Sequence, residues 1–551
     1  MLRDWASLQY TLAMSTDVAS FFIQNFAFCG IIVYNPLINM VESIKHKLTK
    51  TITGGAIVIA GFSLLSRVLG LVRDRLLFST FGAGDVLDTY YAAFRLPDLI
   101  FNTLVLGALS AAFIPVFLEY WHKDKEQAWK IANSILNIIM VVLVVLGLLG
   151  FYFAPELVSW IAPGFDIEKR LITAELTRIM LIGIIFLGLS NIASSMLNAF
   201  KRFTAFAIAP VMYNIGIIAG IIVLVPMIGI QGLAWGVVLG AFLHFFVQLP
   251  AVSKLGFRYA FRIDLHLKGV WKIGVLMIPR TFGLAINQIN QVANTVIGST
   301  LAIGSVAIFN VANNLQTVPI GIFAIPIALA YFPLFSEAWV KQDIPHLIAS
   351  FSKAMRRILF IAIPSSIFII LLRAHIVRLV LGSGAFDWTD TILTARTLSF
   401  FAISLFAQSL IPLIARVFYA LQDTKTPVFV SVISLALNIY LSIKLSMTMG
   451  VAGLALGFSI ASIWNVLALW LLLRKRLGDL DDHKVFASAM RISLISIVSG
   501  WALYGVLLLV APYVDTQTGI GLLIQAGIAG LVGVGVYLGL SRLMKLEESK
   551  L

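Results

Sequence analysis

Cysteine, charge and metal-binding patterns are all scarce in this sequence, and each absence excludes a class of protein. The single cysteine, Cys29, excludes a disulfide framework and any zinc or iron–sulfur ligation by clustered cysteines. The 7 histidines include no HExxH motif and no paired spacing, so we expect no metal site and no metal cofactor. Only 12% of the residues are charged and 60% are hydrophobic, which excludes a soluble fold.

The formal net charge of +14 is the one feature that favours a polyanionic partner. The basic residues are scattered through short segments between apolar runs, however, and form no extended stripe, so we expect no nucleic-acid binding. A membrane-spanning helix takes about 20 apolar residues, so the chain has room for roughly 13 to 15 spans and for no sizeable extramembrane domain.

Apolar runs between charged or Gly/Pro-rich breaks predict an all-α integral membrane protein with about 14 transmembrane helices. The helices are expected to begin near Ile52, Leu87, Gln127, Leu171, Ala205, Gln231, Trp271, Ser305, Leu347, Asp390, Pro427, Val451, Val485 and Ile520.

The distribution of lysine and arginine over the loops predicts the orientation. Roughly 26 of them lie on one set of alternate loops and the tail, against about 4 on the other loops. Those few are Lys169, Arg170, Arg373 and Arg378. Both ends of the fourteen-helix core are therefore expected to face the cytoplasm.

Residues 1–50 precede this core as an N-terminal extension whose status the sequence leaves open. Residues 17–39 are apolar but interrupted by polar residues, and they lack the basic start and small-residue cleavage site of a secretory signal. The stretch is interpreted as lying upstream of a natural start at Met40, as a peripheral interfacial helix, or as a fifteenth span.

The sequence contains an internal repeat. Gly229-Ile-Gln-Gly-Leu-Ala-Trp-Gly236 recurs as Gly450-Val-Ala-Gly-Leu-Ala-Leu-Gly457, at an offset of 221 residues with five of eight positions identical. A Pro-x-Phe-x-Glu pattern at residues 115–119 recurs at residues 333–337, an offset of 218. Each repeat holds six predicted helices, an even number, so the two copies should have the same membrane orientation.

The repeat predicts two pseudo-symmetric six-helix lobes followed by a C-terminal helix pair. Such lobes can rock against each other about a midplane cavity, which is the architecture of a transporter. The expected boundaries are 51–256 for the N-lobe, 257–478 for the C-lobe, and 479–551 for the last helix pair and a cytoplasmic tail.

The first two predicted helices carry charges that hydrocarbon tolerates poorly. Each charged group near mid-membrane costs about 2.5–3.5 kcal/mol if it faces lipid, so these groups cannot all face lipid. Pro97 is expected to bend or unwind the second helix beside them. The groups are Arg67, Arg73, Asp74 and Arg75 in the first helix, and Asp88, Arg95 and Asp98 in the second.

Two of the arginines favour an anion site. Arg67 lies about 15 residues, or roughly 22 Å, from the start of its helix, too deep to reach the cytoplasmic surface easily. Arg280 lies near the start of the seventh helix, in the opposite half of the repeat. Guanidinium groups lining one cavity suit a phosphate or pyrophosphate, because each pairs bidentately with its oxygens. Structural ion pairs at the membrane ends are the alternative, favoured for Arg75 and Asp98.

Other polar residues in the spans allow two interpretations. His244 and Lys444 suit proton or ion coupling, although a lone polar residue packed between helices is the simpler reading. Amide-rich runs at residues 287–294 and 310–316 suggest a hydrated face that lines a cavity, with hydrogen bonding between helices as the alternative.

Several motifs, taken together, resemble a known family. In this order and spacing, over about residues 50 to 545, the chain is similar to the MurJ (MviN) lipid II flippases of the MOP exporter superfamily. The motifs are Ser66-Arg-Val-Leu-Gly70, Arg73-Asp74, Phe81-Gly-Ala-Gly84, Asp88, Phe94-Arg-Leu-Pro97, Gly107-Ala-x-Ser110-x-Ala-Phe-x-Pro115, Asn310-x-Ala-Asn313 with Pro319, and Phe418-Tyr-Ala-Leu-Gln-Asp-Thr-Lys-Thr-Pro427.

The resemblance implies fourteen helices in the bacterial cytoplasmic (inner) membrane, with the last pair forming a groove for an undecaprenyl tail. It implies that the protein moves lipid II, the undecaprenyl-pyrophosphate-linked peptidoglycan precursor, from the inner to the outer leaflet by alternating access. Arginines of a central cavity would engage the pyrophosphate. The motifs carry this role onto Arg67 and Arg73, with Asp74 and Asp88 as nearby acidic groups.

Two positions depart from the family pattern. The chain reads Leu99-Ile-Phe-Asn102 where many members carry a further cavity arginine, and Asn313-Asn314 where the eighth helix usually has an Asn/Asp-Arg pair. We expect Arg280, and after it Arg95, to restore the missing charge. The predicted substrate-binding residues are therefore Arg67, Arg73, Asp74, Asp88, Arg95, Arg280, Asn313 and Asn314, with no catalytic residue among them.

Other functions stay open at this point: a flippase for another undecaprenyl-linked oligosaccharide, or a drug exporter of the same superfamily. An enzyme acting on the same lipid is disfavoured, because the longest predicted outer loops, near residues 155–170 and 374–390, carry no paired carboxylates. The sequence has no GxxxxGK[ST] motif and hence no expected nucleotide cofactor. Transport would be driven by a monovalent ion gradient, the membrane potential, or consumption of the product.

Overall fold

The computed structural model describes residues 52–106, 108–516 and 518–549. The expectations for the N-terminal extension, residues 1–50, lie outside this range. Within it the chain is all-helical and contains no β-strand.

The helices follow one another with short connections. They are α1 (Ile52–Phe81), α2 (Asp85–Ala93), α3 (Arg95–Phe101), α4 (Ala108–Lys123), α5 (Lys125–Tyr152), α6 (Ala154–Ile161), α7 (Ile167–Ala199), α8 (Phe203–Ala219), α9 (Val225–Ile228), α10 (Gln231–Phe246), α11 (Leu249–Ser253), α12 (Lys268–Ser299), α13 (Ser305–Pro319), α14 (Ile325–Val340), α15 (Ile344–Leu381), α16 (Trp388–Ile403), α17 (Leu405–Ala420), α18 (Lys425–Met449), α19 (Val451–Leu477), α20 (Asp482–Val510) and α21 (Gly519–Leu543).

The predicted helix starts are confirmed, since a helix begins within four residues of each one. Among the described residues, 10 helices are long and apolar enough to cross a membrane, or up to 12 if each bent pair forms one span. The chain is thus a multi-pass membrane protein, while the count of fourteen spans stays a prediction. The outer loop predicted near residues 374–390 is shorter than expected, because α15 runs on to Leu381 and α16 begins at Trp388.

The second predicted span is interrupted, as Pro97 led us to expect. The helix breaks between Ala93 and Arg95, and a π-helical segment, Asn102–Leu106, follows α3. Proline removes one backbone donor and crowds the carbonyl four residues earlier, which is residue 93. Two further π segments follow along the chain, Gly220–Leu224 and Ile320–Ala324. The latter lies 218 residues after Asn102–Leu106, at the offset of the Pro-x-Phe-x-Glu repeat, and so gives the repeat a structural counterpart.

The glycine repeat also has matching geometry in both copies. Gly229 (φ 67°, ψ −148°) and Gly450 (φ 60°, ψ −140°) adopt the same backbone conformation at equivalent turns between helices. That conformation is open only to glycine at no steric cost. After each turn, glycines bring two helices into backbone contact: α10 against α8 in the first copy, and α19 against α18 in the second.

The chain forms two compact units. The first comprises the described part of Met1–Leu76 together with Ala93–Val158 and Ile167–Gln288, and the second comprises Leu77–Ala92, Ser159–Asp166 and the described part of Ile289–Leu551. The units follow from packing, whereas the predicted lobes, 51–256 and 257–478, follow from the repeat. The lobe division stays a prediction.

In the first unit, the segment between α11 and α12 is fastened along α5. The Asn133 side chain accepts from the backbone N–H of Ala260 at 2.8 Å and donates to the carbonyl of Arg258 at 3.1 Å. Asn137 donates to the carbonyls of Ala260 and Arg262 at 2.9 and 3.1 Å. Both asparagines are buried. Backbone N–H and C=O groups of this non-helical segment therefore form hydrogen bonds with side chains of α5.

Replacing Gly236 with alanine should destabilise the first unit. The added Cβ would lie 2.7 Å from the Cα of Gly220, which forces α10 away from the π segment, Gly220–Leu224, that follows α8. Overpacking of this kind typically costs about 1–3 kcal/mol, so the thermal denaturation midpoint of the detergent-solubilised protein should fall. The matched control is Gly527→Ala in α21, where a Cβ meets nothing within 4 Å. Equal midpoints for the two variants would contradict the close helix contact.

Candidate substrate-binding site

Arg73 is held from two sides within the first unit. Its Nε and Nη2 donate to Oδ1 of Asp74 at 3.0 and 2.8 Å, and its Nη1 donates to Oδ1 of Asn214 at 3.3 Å. The Asp74 side chain is 4% exposed, whereas that of Arg73 is 21% exposed. The guanidinium is therefore oriented by the protein while part of it stays accessible to a further acceptor.

Asn214 connects α8 to α1 beside this pair. Its Nδ2 donates to the backbone carbonyl and the hydroxyl of Ser66, at 3.2 and 3.1 Å, and to the carbonyl of Pro210 at 3.0 Å. Its Oδ1 is the atom that receives Arg73. Asn214 thus positions the cation, and sequence reasoning missed it. The available signal was a single amide in an otherwise apolar run.

Arg67 lies earlier on the same helix, α1. It is half-buried and lies six residues, or about 9 Å, before Arg73 along the helix axis. Its guanidinium makes no hydrogen bond or ion pair with any other residue that the structure describes, in contrast to Arg73. The charge of Arg67 is therefore not neutralised by the described part of the chain.

Asp88 has a different environment in the second unit. Its Oδ2 accepts from the backbone N–H of Gly304 at 2.8 Å and its Oδ1 from that of Ala307 at 2.9 Å. These donors open α13, so the buried carboxylate stabilises the positive end of that helix. Gly304, at φ 86°, packs directly on the carbonyl of Ala83, which a side chain would not allow.

The remaining predicted residues are distributed over both units. Arg95 is 7% exposed at the start of α3 in the first unit. Arg280 belongs to α12 in the same unit, and its side chain lies outside the described part of the structure. In the second unit, Asn313 is half-buried and accepts from Gln316 Nε2 at 3.0 Å, while Asn314 is exposed. Of the predicted residues, Arg73 and Asp74 contact each other directly, at 2.8 Å.

A cavity of about 550 Å³ lies inside the first unit, among α3, α4, α7, α8 and α10. The Asp98 carboxylate reaches it and makes no hydrogen bond with a described residue; Arg95 is the charged group beside it. A buried carboxylate is expensive unless it meets a proton, a cation or hydrogen-bond donors. The polar residues lining the cavity are Asp98, Asn102, Asn191, Ser194, Ser195, Asn198, Tyr213 and His244.

His244 connects this cavity to a polar chain between α7 and α10. Its Nδ1 lies 2.6 Å from Oγ of Ser190, which also receives Gln248 Nε2 at 2.6 Å. Ser194 in turn donates to Gln248 Oε1 at 2.8 Å. Both earlier interpretations of His244 thus have a structural basis, since the ring is packed between helices and also faces a polar cavity. Lys444, the other residue considered, is exposed near the end of α18.

The helical architecture, the interrupted second span and the polar cavity together define the class: a multi-pass α-helical membrane protein with the fold of MOP-superfamily transporters. A solved multidrug-resistance MATE family transporter of that superfamily, in an inward-facing conformation, matches with a TM-score of 0.65 over 78% of this chain and 99% of that structure. At 14% identity this match shows the fold alone.

The particular family follows from closer matches. The sequence profile of the family described as lipid II flippase MurJ matches residues 77–523, and the chain belongs to this family. The lipid II flippase MurJ of Burkholderia cenocepacia is 32% identical over 432 residues, which cover 76% of this chain and 83% of the relative. The probable lipid II flippase MurJ of Thermotoga maritima is 30% identical over 486 residues, covering 88% and 95%. A solved lipid II flippase MurJ in an inward closed conformation matches with a TM-score of 0.73 and 27% identity, covering 89% of this chain and 99% of that structure.

Replacing Asp88 with alanine should loosen the start of α13. The change leaves the N–H groups of Gly304 and Ala307 without their acceptor, and an unsatisfied buried donor costs about 1–3 kcal/mol. We expect faster amide hydrogen exchange at residues 304–309. Asp124→Ala is the matched control, because Asp124 caps α5 by accepting from Glu126 and Gln127 and lies in the first unit. Unchanged exchange at residues 304–309 in Asp88→Ala would refute the capping role.

Proposed function

We propose that this chain is a flippase that moves lipid II from the inner to the outer leaflet of the bacterial cytoplasmic membrane, by alternating access, for cell-wall synthesis. The observation that carries the proposal is the family match over residues 77–523. Relatives at 30% identity or more, named as lipid II flippases, support it over the other undecaprenyl-linked sugars and over drugs.

The chemistry of the two arginines on α1 fits the pyrophosphate of this substrate. Arg73 is pre-oriented by Asp74 and Asn214, so little conformational entropy is lost when its guanidinium pairs with a phosphate oxygen. Arg67 brings a charge that no described residue neutralises. We assign Arg67 the larger electrostatic contribution and Arg73 the directional one.

Further residues extend this assignment. Arg280, and after it Arg95, would supply the charge that is missing at the two positions where the chain departs from the family pattern. Asn314, which is exposed, is the better placed of the two asparagines to meet the substrate, since Asn313 already accepts from Gln316. Asp88 would contribute indirectly, through the position of α13.

We place the undecaprenyl tail along the last helix pair, α20 and α21. These helices pack on α15, where Tyr537 donates to the carbonyl of Phe360 at 2.7 Å. The C-terminal residues of the protein also contact α15, as Arg356 donates to Glu547 and Glu548 at 3.0 and 2.6 Å. The distribution of basic residues supports a cytoplasmic location for both ends of the fourteen-helix core.

A monovalent ion or proton is the driving species we favour, acting at the cavity that Asp98 and His244 share. A carboxylate without a hydrogen-bond donor, in a polar cavity within the membrane, is suited to bind and release a cation. The groups facing it are Tyr213, His244 and Arg95, of which only Arg95 carries a permanent charge.

Replacing Arg67 with lysine should abolish transport. A lysine keeps the charge but loses the planar pair of donors, so Arg67→Lys should fail to complement a bacterium depleted of its native flippase. Arg280→Ala should also impair growth in the same assay. Arg202→Lys, an exposed arginine at the start of α8, is the matched control and should complement fully.

Membrane-fraction immunoblots would establish that all three variants accumulate equally. Full complementation by Arg67→Lys would reduce Arg67 to a generic cation, and full complementation by Arg280→Ala would remove Arg280 from the site.

Asp98→Asn should uncouple transport from its driving ion. The amide keeps the shape of the carboxylate but takes up no proton and holds a cation weakly, so lipid II exposure at the outer leaflet should fall and lose its response to ionophores. Binding of lipid II to the purified variant should be unchanged. Asp166→Asn, at an exposed position, serves as the control. Wild-type exposure and ionophore sensitivity in Asp98→Asn would rule out this cavity as the coupling site.

A further inference from the structure

A second cavity, of about 480 Å³, lies in the second unit between the last turns of α15 and the first turns of α16. It is remote in sequence from every residue assigned above, and Arg396, its most unusual component, was not singled out in the sequence. The side chains that matter here are Arg373 and Ile370 from α15, and Trp388, Thr391, Arg396 and Phe400 from α16.

The two arginines lie at the same depth. Arg373 is eight residues before the end of α15 at Leu381, and Arg396 is eight residues after the start of α16 at Trp388. The two helices pack against each other and are joined by a short turn, so the Cα atoms of both arginines lie about 12 Å along the helix axes from that turn. Arg373 is also sixteen residues, or about 24 Å, beyond Arg357, a basic residue at the other end of the span. That distance approaches the hydrocarbon thickness of about 30 Å and brings the pair to the opposite headgroup boundary.

The charge of this pair is not balanced by the groove. Both arginine side chains are exposed, and no carboxylate is among the residues that line the cavity. Arg373 donates to the carbonyl of Ile370 at 2.7 Å, and Arg396 makes no hydrogen bond or ion pair with a residue in the described ranges. Two cations sharing one groove at a membrane boundary repel each other unless an anion lies between them.

The apolar residues indicate what kind of anion fits. Ile370 and Phe400 lie about one turn deeper than the arginines, towards the membrane centre, and both are partly exposed. Trp388, 62% exposed, lies at the outer end, where tryptophan is enriched at membrane surfaces. A free phosphate would contact the arginines alone. A lipid would contact the arginines with its phosphate, the apolar residues below them with an acyl chain, and the tryptophan above them with its headgroup region.

We propose that this groove binds the phosphate of an anionic glycerophospholipid, with Arg373 and Arg396 on its oxygens and the start of an acyl chain on Ile370 and Phe400. On the orientation given above, the lipid belongs to the outer leaflet. Its binding joins α15 to α16. Guanidinium groups suit the phosphodiester because they pair bidentately with its two free oxygens.

The test uses the purified full-length chain in neutral detergent, titrated with phosphatidylglycerol, phosphatidylcholine or inorganic phosphate, with bound lipid counted by native mass spectrometry. We expect phosphatidylglycerol to bind and to raise the thermal midpoint, and the other two to do neither. The double variant Arg373→Gln/Arg396→Gln should weaken phosphatidylglycerol binding at least ten-fold. The control Arg202→Gln/Arg491→Gln, which removes two exposed arginines elsewhere, should stay within about two-fold of the wild type.

Each other outcome overturns the proposal. Wild-type affinity in Arg373→Gln/Arg396→Gln would remove the pair from lipid binding. Equal binding of phosphatidylcholine would exclude selection by charge, and an equal effect of inorganic phosphate would indicate an anion site without lipid. If Arg373→Gln/Arg396→Gln has the same thermal midpoint as the wild type in phosphatidylcholine, the variant is folded. The variant Arg373→Lys/Arg396→Lys, which keeps the charge, should bind phosphatidylglycerol with intermediate affinity.

Discussion

Hydrocarbon solvates neither charges nor backbone polar groups, and every distinctive feature of this chain follows from how it meets that constraint. Arg73 is satisfied by Asp74 and Asn214, and Asp88 places both oxygens on backbone donors at the start of α13. Arg67 and Arg396 are not satisfied by the residues described. Charged side chains that have hydrogen-bond partners within the protein stabilise the fold. Charged side chains without a partner among the described residues are available to ligands.

Asp88 and Asp98 illustrate this division over a short stretch of sequence. Asp88 belongs to the second unit and Asp98 to the first, and a helix break at residue 94 lies between them. One carboxylate accepts from two N–H groups, while the other reaches a polar cavity and accepts no hydrogen bond from a described residue. The same side chain is structural in the first case and chemically available in the second because of its surroundings.

The helices could be predicted from the sequence because a span in lipid requires a continuous apolar run, and the runs mark their own ends. The bend at Pro97 followed from a local rule. The contacts of Asp88 with Gly304 and of Arg73 with Asn214 could not be predicted in this way, since these partners lie 216 and 141 residues away and depend on how distant helices pack. Arg396 could not be identified from the sequence, because a single arginine in an apolar helix does not by itself indicate a binding site. Its role becomes apparent only when the neighbouring helix brings Arg373 to the same depth.

The π-helical segments at Asn102–Leu106 and Ile320–Ala324 bear on how such spans could move. A π turn contains one residue more than an α turn, and each N–H donates to the carbonyl five residues earlier. The helix is therefore wider and less stable at this point than in its α-helical parts. When the surplus residue passes to the next turn, the helix beyond it advances about 1.5 Å and rotates about 100° while most of its hydrogen bonds stay intact. Two spans at corresponding places in the repeat therefore contain a built-in means of sliding and twisting their inner halves without unwinding.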